Sequence, residues 1–133
     1  MKIPWIKLIV AAITAEVTAI LVLVCLVAIF GPKEASQAQV YAEKLGWWVG
    51  PIAGTVLSFI GAFWITRRLA NDHLVQGSLF GLIYSLIDVA LIIAMQPPFE
   101  WIFVVSNAGK ITAGVLGGLV AGRCHRRNLP SST

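Results

Sequence analysis

Four runs of about twenty consecutive apolar residues dominate this sequence, and that is the length a helix needs to cross the hydrocarbon core of a bilayer. They cover residues 5–30, 46–66, 74–95 and 99–122. The breaks between them are of the kind that ends helices. Gly31-Pro32 follows the first run, Arg67-Arg68 and Asn71-Asp72 follow the second, and Pro97-Pro98 stands between the third and the fourth. Proline cannot continue a helix, since it lacks the N–H and clashes with the preceding turn. Asp72 is placed to cap the third helix through its side chain.

A water-surrounded core does not accommodate such a chain. Its 133 residues are 58% hydrophobic and 12% charged, with a mean hydropathy of +0.85. Soluble domains carry about twice that charged fraction, and a short chain leaves much of its surface exposed. Lipid as the solvent removes the conflict. The expected fold is all-α: a polytopic integral membrane protein, one domain over residues 1–133, built as a bundle of four transmembrane helices. The first run starts with Lys2 and Lys7, as a signal peptide would. Its apolar stretch is longer than a signal core, contains Glu16 and has no small-x-small cleavage site, so it is expected to remain as a helix.

The net charge of +4 does not point to nucleic acid, because no basic face or stacking platform accompanies it. It reads as a topology signal. Lys2, Lys7, Arg67, Arg68, Arg123, Arg126 and Arg127 all fall on one side, and only Lys33 and Lys44, offset by Glu34 and Glu43, fall on the other. By the positive-inside rule both termini face the cytoplasm, which is expected to be that of a bacterium across its inner membrane. Tyr41, Trp47, Trp48, Phe99 and Trp101 then mark the outer interface, and Trp5 and Trp64 the inner one. Residues 31–45 form an outer loop in which 35–45 is expected to lie as a short helix on the surface. The tail 128–133 reads as disordered. Arg67, Arg68 and the cluster Arg123, Arg126 and Arg127 are also candidates for holding anionic lipid head groups.

Small residues recur at helical spacing within the runs. The second has Gly50, Gly54, Ser58 and Ala62, the third Gly77, Gly81 and Ser85, and the fourth Gly114, Gly118 and Gly122 beside Ala113, Gly117 and Ala121. The first has the weaker series Ala11, Ala15 and Ala19. In lipid, helices associate by close approach at such stripes and by polar contacts, because lipid tails compete for large apolar groups.

Three ionisable side chains interrupt the runs: Glu16, Asp88 and Lys110. Each costs about 2.5–3.5 kcal/mol on insertion scales. At 1.5 Å of rise per residue, Glu16 and Lys110 both lie ~15 Å deep and Asp88 lies ~12 Å from the outer side. A Glu16–Lys110–Asp88 cluster is therefore expected, with Asn107 and Tyr84 as hydrogen-bond partners. Its plain role is a structural staple. Two acids share one base, however, and full ionisation would leave a net charge of −1 in low dielectric, which favours a proton held by one carboxyl. Such a group suits proton or cation handling.

Other chemistries lack support. Asn107-Ala108-Gly109-Lys110 looks like the end of a phosphate loop, but Ile111 follows the lysine and Val104 stands where a glycine is needed. His73 and His125 are far apart in the sequence and are read as interfacial, not as metal ligands. Cys25 and Cys124 fall at opposite ends of the bundle, which excludes a disulfide between them. No serine or cysteine has a recognisable base partner. No enzyme activity, metal or cofactor is expected.

Ala15-Glu16-Val17, set in a long apolar run, resembles the opening helix of small multidrug resistance transporters, which are also four-helix proteins with a single membrane glutamate there. The resemblance implies that Glu16 is the carboxylate that binds proton and substrate. It is confined to this stretch. The long charged first loop, the third helix without tryptophan, the charges at Asp88 and Lys110 and the strong charge bias all depart from the family, so no family is assigned.

Two functions are carried forward. One is a non-catalytic accessory, assembly or interaction subunit. The other is an oligomer moving a small solute or ions with Glu16 and Asp88 as the coupled sites. Either implies the bilayer and a homo-oligomer or larger membrane complex as partners.

Overall fold

Long apolar runs with few internal breakers become helices because every backbone polar group is then satisfied within its own segment. The computed structural model describes residues 4–69 and 72–127, with only the backbone of Arg126 and Arg127. The expectation for 128–133 lies outside the described residues. The helices are α1 (Trp5–Phe30), α2 (Ala35–Thr66), α3 (His73–Met95) and α4 (Trp101–Arg127), and each is long and apolar enough to span a membrane. They run alternately up and down. Residues 31–34 and 96–100 lie at one end, the tryptophan end, and 67–69 and 72 with the close of α4 at the other, the arginine end.

The helix boundaries correct the sequence expectation in three places. Residues 35–45 are no separate surface helix. They form the start of the 32-residue α2, which leaves a connection of only residues 31–34. Nothing between Ala35 and Leu45 breaks a helix, and the lone Gly46 costs only about 1 kcal/mol there. Gln37 donates to Glu34 at 2.6 Å and Gln39 to Glu43 at 3.4 Å along this extension. Helix α4 begins at Trp101 and not at 99, so Phe99 and Glu100 belong to the connection that follows Pro97-Pro98. The helix also continues beyond 122 to Arg127. Asp72 does precede α3, yet it adopts a left-handed conformation (φ 64°) and its side chain caps nothing. Its carbonyl accepts the N–H of Gln76 instead.

The helices form a rhombus. α2 and α3 pack against each other and each packs against both outer helices, while among the described residues the backbones of α1 and α4 do not approach one another. The α3–α4 seam is backbone against backbone. A Cβ on Gly114 would lie 2.7 Å from the Gly77 carbonyl oxygen and 2.8 Å from the Gly81 Cα. One on Gly77 would lie 2.8 Å from the Gly118 Cα, and Gly118 itself rests on the His73 carbonyl. The α2–α4 seam sets Gly117 under Phe59 and Ala62, and Gly109 under Thr55. Gly50 is different: a Cβ there would meet nothing within 4 Å. It takes no part in a seam.

Helix α1 is held along a narrow stripe. Leu8, Ala12, Ala15 and Glu16 are buried and its other described residues are not. Leu8, Ala12 and Ala15 join Ala62, Phe80 and Tyr84 in the apolar core, where the Phe80 ring fills the space left by Gly61. Cys25 and Cys124 are exposed free thiols.

Candidate functional site

Lys110 is the group around which the polar interior is organised. Its surroundings come from the three other helices. It is only 3% exposed, deep in the middle of α4. Its stem crosses the face of α2 at Gly54, where a Cβ would sit 2.5 Å from the lysine Cε. One turn further along α2, the buried Ser58 hydroxyl donates to the Lys110 carbonyl at 2.6 Å. The ammonium then reaches α3, 2.9 Å from Asp88 Oδ2 and 4.7 Å from the centre of the Tyr84 ring. On α1, Glu16 Oε2 lies 3.8 Å away. This lysine thus links α1 to α4 across a gap that the helix backbones do not close.

The two carboxylates are not equivalent. Asp88 takes a charge-assisted hydrogen bond from Lys110. The same oxygen accepts from the Asn107 side-chain amide at 3.0 Å. Asn107 in turn donates to the Phe103 carbonyl at 2.9 Å and accepts from the Ser85 hydroxyl at 2.7 Å. This is a connected chain, Lys110–Asp88–Asn107–Ser85, that ties α3 to α4. Glu16 has only the longer contact, and its Oε2 is buried without a hydrogen-bond partner, as is the Tyr84 hydroxyl. Coulomb attraction falls only as the inverse of distance, by a factor of about 1.3 between the two separations. The difference between the acids is therefore the hydrogen bonding, which Asp88 has and Glu16 lacks.

All five residues of the expected cluster, Glu16, Asp88, Lys110, Asn107 and Tyr84, come together. Tyr84 contributes its ring face to the lysine, a cation–π contact, and not the hydrogen bond expected from its hydroxyl. Ser58 and Gly54 were legible as members of a small-residue stripe, but their roles as a donor to α4 and as the channel for the lysine stem were not. The available signal was their i, i+4 spacing on the α2 face that packs on α4.

At the arginine end, Arg67, Arg68 and Arg123 are exposed, and the Arg67 guanidinium lies 4.4 Å from the centre of the Trp64 ring. The side chains of Arg126 and Arg127 lie outside the described residues. The two histidines, remote in sequence, are brought together where α3 starts and α4 ends, with ring centres 5.3 Å apart. At the tryptophan end, the Trp47 indole donates to Glu100 at 2.6 Å, joining α2 to the residue before α4.

Set against protein-family models, curated proteins and solved structures, the chain matches none of them.

Proposed function

We propose that this is an integral membrane protein of a bacterial inner membrane, with both termini in the cytoplasm, acting as a non-catalytic accessory or assembly subunit. One observation carries this reading: the buried lysine of α4 has partners on each of the other three helices. In hydrocarbon, where large apolar groups give helices no preference for one another, polar contacts of this kind specify which faces meet. The connected chain through Asp88, Asn107 and Ser85 is suited to hold one arrangement of α3 and α4. The loosely held α1, exposed on all but one stripe, is the face offered to a partner. The arginine bias supports the orientation, and Arg67, Arg68 and Arg123 suit anionic head groups at the cytoplasmic surface.

A second reading is favoured by Glu16. Its unpartnered buried oxygen beside the unpartnered Tyr84 hydroxyl is suited to a proton or cation, as in an oligomeric transporter coupled through Glu16 and Asp88. Purification from native membranes in a mild detergent separates the two. A stoichiometric foreign protein is expected for the subunit; a homo-oligomer alone, with proton-coupled flux in vesicles that Glu16→Gln abolishes, would replace it by the transporter.

A further inference from the structure

A crevice of about 580 Å³ opens at the tryptophan end, lined by Tyr41, Glu43, Lys44, Trp47 and Trp48 of α2 and by Glu100. It exists because α2 continues beyond the apolar run. Tyr41, Lys44 and Trp48 fall on one face of that extension, and Glu43 and Trp47 on the adjacent one. The rings of Trp47 and Trp48 have centres 4.6 Å apart and planes at 77°, so they make two walls of a corner and do not stack. The 2.6 Å bond from the Trp47 indole fixes the Glu100 carboxylate at this corner. A carboxylate accepts several hydrogen bonds, so Glu100 keeps capacity for a second donor.

The chemistry of this lining is specific. Aromatic faces with a nearby carboxylate attract ammonium and quaternary ammonium groups. Glu43 and Glu100 against Lys44 leave a net charge of −1, and among the described residues Lys44 is in no ion pair. It is free to meet an anion at the same mouth. An interfacial aromatic belt alone needs rings; it needs neither a carboxylate locked to an indole nor a lysine beside it. The geometry points to a binding site for a zwitterionic phospho-ammonium group, with the ammonium in the Trp47–Trp48 corner facing Glu100 and the phosphate at Lys44. The site is independent of whether the protein is a subunit or a transporter.

This group occurs on phospholipid heads and on free glycerophosphodiesters. The full chain in nanodiscs of phosphatidylglycerol, titrated by calorimetry with glycerophosphocholine, tests the free form. Nanodiscs doped with phosphatidylcholine, followed by counting lipid retained on extraction, test the lipid form. Saturable binding of one or the other is expected and identifies the source. Trp48→Ala and Glu100→Gln, with helicity unchanged by circular dichroism, are expected to weaken it about tenfold. Glycerol 3-phosphate, which has no ammonium, is expected not to bind. The proposal is overturned by saturation with neither form, by equal binding of glycerol 3-phosphate, or by undiminished binding in the two folded variants.

Discussion

The space that Gly54 leaves on α2 is the space through which the side chain of Lys110 runs, with the lysine Cε 2.5 Å from where a Cβ would be. A glycine that reads as one member of a packing stripe is thus a passage for the charge at the centre of the bundle. The lysine stem is flexible, but its far end is pinned at Asp88. Gly54→Val is expected to lower the unfolding midpoint by the equivalent of about 1–3 kcal/mol, the range for overpacking. In a Lys110→Ala background the same substitution should cost far less. A double-mutant cycle in detergent measures this coupling, and strict additivity would contradict the passage.

The inequality of the two acids sets the order of effects at the cluster. Asp88→Asn leaves the buried ammonium without its hydrogen-bonded counter-charge, which is expected to cost about 3–5 kcal/mol. Glu16→Gln removes a carboxylate with no hydrogen bond and should cost less. Lys110→Met with Asp88→Leu and Glu16→Gln removes all three charges together, and should be closer to wild type than Lys110→Met alone. Reversible unfolding in mixed micelles gives the ranking. Equal losses for Asp88→Asn and Glu16→Gln would contradict the geometry.

The glycines divide into two groups. Gly114→Val would drive a side chain into the backbone of α3 at Gly77 and Gly81, neither of which can yield without moving the helix. A loss of about 3 kcal/mol or more is expected. Gly50→Ala meets nothing within 4 Å and is expected to cost no stability, with a gain of up to about 1 kcal/mol from helix propensity. Thermal aggregation midpoints of the two purified variants are a sufficient comparison.

Cys124 tests the proposed orientation with its own thiol as the probe. It is an exposed thiol at the arginine end. A membrane-impermeant maleimide is expected to label it in inverted vesicles and not in right-side-out ones, with Cys25→Ser used to leave a single thiol. Labelling of Cys124 from the outside would reverse the topology.

How much of this was legible beforehand follows from which interactions are local. The ends of α1 and α3 could be read to within a residue, because Gly31-Pro32 and the break around Asp72 act on the chain beside them. The start of α2 could not. Residues 35–45 are polar enough to suggest a surface segment, but polarity does not stop a helix, and the chain there contains no breaker. That Glu16, Asp88 and Lys110 meet at one level along the bundle was legible from the rise per residue alone. Their mutual distances were not, since those depend on how each helix is rotated about its axis.

The sequence by itself therefore determined the four helices, their alternation and the level at which the charges meet. Apolar length and local breakers specify these without reference to any neighbour. Only the tertiary structure decided that Lys110 bonds Asp88 and leaves Glu16 at 3.8 Å. It alone decided that Gly54 is a passage while Gly50 is idle, and that Trp47 and Glu100 close one end. These depend on side-chain reach across helices separated by many residues, where a small rotation of one helix moves a carboxylate in or out of hydrogen-bond range.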